Sequence, residues 1–186
     1  MPFIATDIAG LLVYEPKVFE DSRGYFFESY NEKFFQQEGI NFRFVQDNQS
    51  SSSYGVIRGL HYQLHPHAQT KLVRVLYGEI LDVAADIRIG SPTYGKVFAI
   101  KLSADNKKQL FIPPGFAHGF SVLSKKAEVL YKCDNFYNKE SEAGIIYNDP
   151  ALGIDWKIPA DKAIISDKDL VLPSLENCKT NFVFED

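Results

Sequence analysis

The chain has 186 residues, 45% of them hydrophobic and 14% aromatic, enough for one globular domain with a substantial core. A net charge of −4 and a pI near 5.6 argue against general nucleic-acid binding, so a phosphate-bearing ligand would need a local cluster of cations. Cys133 and Cys178 lie far apart without a Cys-x-x-Cys, which indicates neither a disulfide scaffold nor a zinc knuckle. No apolar run reads as a signal peptide or membrane span, so the expectation is a cytoplasmic protein with no membrane or nucleic-acid partner.

In chain order, residues 11–19 are extended in pattern, and Pro16 marks an edge strand. Asp21-Ser22-Arg23-Gly24 is a turn, followed by residues 25–30 as a strand of alternating character. Residues 31–38 form the one clear helix, with Asn31 as N-cap, Phe34 and Phe35 for the core and Gly39 at the stop. Residues 42–46 read as a short strand. The polar run 50–53, four serines, is expected as a surface loop too short to separate domains. Strands over 56–63 and 71–77 flank a loop opened by Pro66, and further strands are expected at 79–87, 96–102, 109–112, 119–123 and 127–133. The tail shows little pattern beyond turns at Asn148-Asp149-Pro150 and Ser166-Asp167-Lys168-Asp169. Short strands punctuated by Gly, Pro, Asn and Asp signal an all-β sandwich or small barrel. The architecture expected is a jelly roll, a single domain over residues 1–186, with its ligand in the mouth between two sheets.

Chemistry-bearing residues concentrate between Arg58 and Arg74, where three of the four histidines lie with Lys71. Alternation puts His61 and Gln63 on one face and Arg58, Leu60 and Tyr62 on the other. Lys71, Val73, Val75 and Tyr77 share a face, and Tyr131 shares one with Val129 and Cys133. Polar groups at inward positions of an apolar strand cost free energy unless something pairs with them, and a ligand is the expected partner. Taken singly, His61 and Tyr131 read equally well as packed core residues with bonded polar atoms. An inward lysine is harder to explain by packing alone.

Pro113-Pro114-Gly115-Phe116-Ala117-His118-Gly119-Phe120 resembles the second motif of the cupin jelly rolls. With it, Arg58-Gly59-Leu60-His61-Tyr62-Gln63, Lys71-Leu72-Val73-Arg74, Asp82-Val83-Ala84-Ala85-Asp86-Ile87-Arg88 and Tyr131-Lys132-Cys133 resemble the dTDP-4-dehydrorhamnose 3,5-epimerase family. Asp21-Ser22-Arg23-Gly24-Tyr25-Phe26-Phe27-Glu28, Phe44-Val45-Gln46-Asp47-Asn48, Asn148-Asp149-Pro150 and Gly153-Ile154-Asp155-Trp156 extend the similarity, in order, over roughly residues 13–169. The resemblance implies a cupin-type jelly roll that converts dTDP-4-dehydro-6-deoxy-D-glucose to dTDP-4-dehydro-L-rhamnose. His61 is similar to the family's general base and Asp169 to the carboxylate that orients it, with Asp167 a rival for that role. Tyr131 matches the general acid on the opposite face of the sugar, and Lys71 the cation beside the ketone oxygen. Arg23, Glu28, Gln46 and Asn48 fall on substrate-contacting positions, as do Arg58, His118, Glu142 and Lys168. A homodimer is implied in which the N-terminal arm, about residues 1–50, is exchanged, so that Arg23 and Glu28 reach the neighbouring subunit's pocket.

The chemistry makes sense of these residue types. Epimerising carbons beside a C4 ketone means removing a C–H proton and returning one to the opposite face. Imidazole is a competent acceptor near neutral pH, and a carboxylate on its other nitrogen fixes the tautomer. The carbanion survives as an enolate, and a cation at the ketone oxygen stabilises it by about 3–4 kcal/mol, as in oxyanion sites. A phenol serves for the return. No redox cofactor and no metal is expected. A metal-dependent cupin is the rival, since His-x-His can chelate. Against it stand Pro66 between His65 and His67, the lack of a following glutamate, and the charge of Lys71. A non-catalytic sugar-nucleotide-binding module gives no reason for a His–Tyr pair, whereas relatives that invert only one carbon stay compatible. Strict alternation separates Arg58 from His61 although the resemblance brings both to the ligand, so a backbone irregularity is expected at Gly59.

Overall fold

The computed structural model describes residues 2–185. Its strands are β1 (Phe3–Ala5), β2 (Leu12–Tyr14), β3 (Phe19–Asp21), β4 (Gly24–Phe26), β5 (Gln46–Ser53), β6 (Ile57–Gln63), β7 (Lys71–Tyr77), β8 (Glu79–Asp86), β9 (Val97–Ser103), β10 (Gln109–Ile112), β11 (Phe116–Val122), β12 (Lys126–Cys133) and β13 (Glu142–Gly144). Two helices, α1 (Glu32–Gln37) and α2 (Asp167–Leu170), accompany them. A six-stranded sheet of order β1-β2-β10-β7-β12-β5 faces a five-stranded sheet of order β13-β6-β11-β8-β9, and β3 and β4 form a separate hairpin. The pairings are antiparallel, giving the jelly roll expected from the spacing of the strands.

Period-two alternation decides what each strand buries. Val73 and Val75 of β7 and Ala127 and Val129 of β12 meet Ile80 and Ala84 of β8 and Phe116, Phe120 and Val122 of β11 in the main core between the sheets. The other face of the five-stranded sheet, with Leu81, Val83, Ala85 and Ile87, is covered by the tail through Leu152, Trp156, Leu175 and Phe182. The outer face of the six-stranded sheet packs Leu72 and Phe111 against Tyr14 and Phe35. Burial on both faces is why β8 and β11 read as nearly continuous apolar runs. Helix α1 starts where expected: the Asn31 side chain accepts from the Phe34 N–H, Phe35 is buried, and Gly39 lies just beyond the end.

Several expectations are corrected. Residues 50–53 are not a loop; they are the second half of β5, paired residue for residue with β12. Hydrophobic patterning could not reveal it, because an edge strand between solvent and a polar cavity needs no apolar side chain and is held by its backbone ladder. Of residues 25–30 only Tyr25 and Phe26 pair, with Glu20 and Phe19. Beyond them, side chains replace the ladder, with the Tyr14 hydroxyl donating to Glu28 O and Gln109 Nε2 to Ser29 O. The extended stretch 11–19 is split around Pro16 into β2 and β3, residues 42–45 are irregular, and β11 begins at Phe116 rather than 119. Tyr77 does not share the inward face of Lys71, Val73 and Val75 but is 59% exposed. One step on β12 (Glu128 to Val129) spans two on β7 (Tyr77 to Val75), and this bulge turns Tyr77 out. The tail, featureless in sequence, holds three 3-10 turns and α2.

Candidate active site

At one end of the space between the sheets lies a cavity of about 620 Å³. His61, on β6, belongs to the five-stranded wall, whereas Lys71 on β7 and Tyr131 on β12 belong to the six-stranded wall. Imidazole and phenol therefore open into one space from opposite sheets.

His61 Nε2 lies 2.8 Å from Asp169 Oδ1. A carboxylate can only accept, so Nε2 donates and Nδ1 is the nitrogen left for the cavity. Asp169 is fixed in turn: its N–H donates to Ser166 Oγ at the start of α2, and its Oδ2 accepts from Gly59 N–H at 3.2 Å. Burial pushes the Asp169 carboxyl up, but the hydrogen bond and charge of His61, with the Gly59 and Ser166 bonds, outweigh it and hold the group below the usual carboxylate range. Asp167, the rival, is exposed on the same short helix.

Lys71 Nζ donates to His61 O at 3.4 Å. Burial pushes its ammonium pKa down, opposed by Cys133, Asp82 and Glu142. Tyr131 packs against the main core and its phenol is pushed up, first by burial and then by Cys133, with Arg58 acting the other way. A buried phenol so placed holds its proton at neutral pH, as an acid must. Arg58 Nε donates to Ser52 Oγ at 3.2 Å, and Gln46 Nε2 to Asn48 Oδ1 at 3.0 Å. Glu142 is gripped by Lys168 Nζ at 2.5 Å and the Tyr137 hydroxyl at 3.0 Å. Burial raises its pKa, but these two partners outweigh burial and leave it below the ordinary value. His118 is buried beside the cavity with Nε2 2.8 Å from Asp82 Oδ1.

Ten of the twelve residues singled out in the sequence thus line one cavity. Arg23 and Glu28 do not. Arg23 is 88% exposed and pairs with Asp21 at 2.6 Å, and the Glu28 carboxylate accepts from Asn31 Nδ2 at 3.3 Å. Sequence reasoning missed Ser50 and Ser52, through the misread β5, and Tyr137, which carried no signal. It also gave no role to Asp82, although an acid at an inward position of the apolar run Ile80–Ala85 was a legible anomaly.

The irregularity expected at Gly59 is present. His118 pairs with His61 and Phe120 with Arg58, so two steps on β11 span three on β6, and the extra residue brings Arg58 and His61 to the same cavity. Gly59 has φ +116°, and a Cβ there would sit 2.6 Å from Gly119 Cα and 2.7 Å from His118 O. Gly59→Ala is expected to destabilise the fold by about 1–3 kcal/mol through overpacking alone, with a further cost for positive φ. Urea denaturation measures this; an unchanged midpoint would contradict it.

Comparison with known proteins narrows the site's chemistry. The family profile described as dTDP-4-dehydrorhamnose 3,5-epimerase matches residues 5–177. A Shigella flexneri dTDP-4-dehydrorhamnose 3,5-epimerase is 54% identical over 171 residues, 91% of this chain and 93% of its own. The crystal structure of the Elizabethkingia anophelis dTDP-4-dehydrorhamnose 3,5-epimerase superposes with a TM-score of 0.90 at 54% identity, covering 94% of this chain and 96% of that one. A Legionella pneumophila dTDP-6-deoxy-D-glucose-3,5-epimerase, solved in complex with dTDP-4-keto-L-rhamnose, gives 0.90 at 49% identity over 94% and 93%. With the profile and these relatives running through every strand that builds the cavity, the chain belongs to the dTDP-4-dehydrorhamnose 3,5-epimerase family.

Proposed function

We infer that this protein is an isomerase that converts dTDP-4-dehydro-6-deoxy-D-glucose to dTDP-4-dehydro-L-rhamnose by inverting C3 and C5. The observation that carries this reading is the placement of His61 and Tyr131 on opposite walls of one cavity with Lys71 between the sheets. His61 Nδ1 takes the proton from the carbon beside the ketone, and Asp169 holds the ring and supports the imidazolium that forms. Electrons from the C–H bond move into the enolate, whose oxygen faces the Lys71 ammonium. The enolate collapses back to the ketone as the Tyr131 hydroxyl delivers its proton to the carbon from the other side. The resulting phenolate regains a proton from solvent while the imidazolium loses one, which resets both groups for the second carbon. Arg58 and Lys168 suit the charge of a sugar diphosphate, with Gln46, Asn48, His118 and Glu142 as further contacts. The sequence needs neither a redox cofactor nor a metal.

The same reading makes the protein a cytoplasmic homodimer. Arg23 and Glu28 lie outside their own chain's cavity, on an arm whose β3–β4 hairpin presents Phe19, Tyr25 and Phe26 to solvent. Exchange of that arm between subunits would cover these rings and bring both residues to a neighbour's pocket.

The test is NMR of dTDP-4-dehydro-6-deoxy-D-glucose with the protein in deuterated water. Exchange at C3 and C5, with the L-sugar formed on coupling to a ketone reductase, is the expected result. Exchange at one carbon would make the protein a mono-epimerase, and a rate lost to chelator would revive the metal reading. Lys71→Met should lower kcat by about 10²–10³-fold, the loss of one oxyanion-type donor. KM should change little, because the enolate charge appears only in the transition state. A raised KM with full kcat would reduce Lys71 to a binding group.

A further inference from the structure

A carboxylate stands in the apolar space between the sheets. On β8, Ile80 and Ala84 point into the main core, and Asp82, at the position between them, is fully buried. On the adjacent β11, Phe116, Phe120 and Val122 point the same way, with His118 among them. Asp82 Oδ1 lies 2.8 Å from His118 Nε2, while Oδ2 is buried with no hydrogen-bond partner among the described residues. Buried carboxylates are normally satisfied on both oxygens, and a half-satisfied one costs more than an aliphatic side chain of similar size. Packing therefore gives no reason for an acid here. Asp169, by contrast, divides its oxygens between His61 and the Gly59 N–H. All the hydrogen bonding of Asp82 goes to one imidazole.

We propose that Asp82 is a positioning residue for the epimerisation, holding His118 with a proton on Nε2 and its Nδ1 turned to the bound sugar nucleotide. A carboxylate offers only acceptors, so the nitrogen facing it must donate. Nδ1 of His118 has no partner among the described residues, and the ring lines the cavity directly across the ladder from His61. The two imidazoles thus enter the site with the same polarity, each anchored at Nε2 by a carboxylate. An Ile or Leu at this position would fill the core and leave His118 free to flip its tautomer.

The proposal rests on the catalytic reading above, and its test separates the two. Asp82→Asn keeps the shape, removes the charge and can offer an amide N–H to Nε2. It should lower kcat/KM by about 10–100-fold, the size of effect seen when carboxylates that orient metal-ligating histidines are removed. In a His118→Gln background the same substitution should alter kcat/KM by no more than about twofold. Equal losses in both backgrounds would mean that Asp82 acts through the fold or through Lys71 and not through His118, and would overturn the proposal. Nitrogen-15 spectra of histidine-labelled wild-type protein decide the matter even where Asp82→Asn does not fold. The His118 resonances, assigned by their loss in His118→Gln, should show Nε2 protonated. A proton on Nδ1 with Nε2 bare would overturn it. Absence of epimerisation by the wild-type protein would sink the catalytic reading while leaving the tautomer to judge Asp82.

Discussion

His61→Ala is expected to stop exchange of both the C3 and the C5 proton, a loss of about 10⁴-fold at the upper end of general-base effects. The size follows from the geometry. Among the described residues only His61 and His118 pair a ring nitrogen with a carboxylate and leave the other nitrogen for the cavity. His118 is buried, with 8% of its side chain exposed, whereas His61 keeps 32% exposed, within reach of a bound sugar. Lys71 carries a proton when it does its work. Both sugar carbons fail together, because in this reading one imidazole serves both. Binding of dTDP, measured by calorimetry, should survive, since Arg58, Lys168, Gln46 and Asn48 are untouched. Asp169 complicates the variant, because it keeps Gly59 N–H but loses its imidazole. That half-orphaned carboxylate should cost about 1–3 kcal/mol of stability. His61→Gln, which can still donate to Asp169, separates the chemical loss from the structural one: stability should return and exchange should not. Exchange persisting at either carbon in His61→Gln would require a second base.

How much of this was legible beforehand depends on what each residue answers to. Lys71 and Tyr131 could be placed facing inward because they interrupt apolar alternation on β7 and β12, and alternation is a property of the strand itself. The irregularity at Gly59 was legible as a contradiction: two residues three apart on a strand alternate away from each other, and a residue inserted between them brings both to one ligand. Tyr77 misled for the same physical reason in reverse, since the bulge that turns it out is written in backbone pairing with Glu128 and Val129, not in composition. β5 escaped because polar residues on both faces of an edge strand look like a loop to any rule based on burial. Asp169 sits 108 residues from His61, so no local pattern could join them; only resemblance pointed there, and the 2.8 Å contact gives that pairing its geometry. Arg23 and Glu28 lie furthest from sequence logic, because their expected contacts belong to an assembly rather than to the chain.

Tyr131→Phe should separate proton loss from inversion. The Tyr131 hydroxyl makes no hydrogen bond to any described residue, so its removal breaks no protein contact, and the phenyl ring fills the same place against the core. Stability should therefore stay within about 0.5 kcal/mol of wild type, as for a substitution that neither opens a cavity nor orphans a polar atom. His61, Asp169 and Lys71 remain, and with them the ability to form the enolate. In deuterated water the imidazolium formed from His61 exchanges with solvent and returns a deuteron to the face it came from. Label then enters C3 and C5 with configuration retained. Inversion needs a donor on the other wall, and losing it should slow L-sugar formation by about 10²–10⁴-fold. The diagnostic is a ratio: deuterium wash-in over inversion, near unity for a concerted relay, should rise steeply in the variant. A parallel fall in both would show that the phenol helps to remove the proton or to seat the sugar. Undiminished inversion would give the acid's role to water or another group, and the opposed placement of imidazole and phenol would lose its chemical meaning.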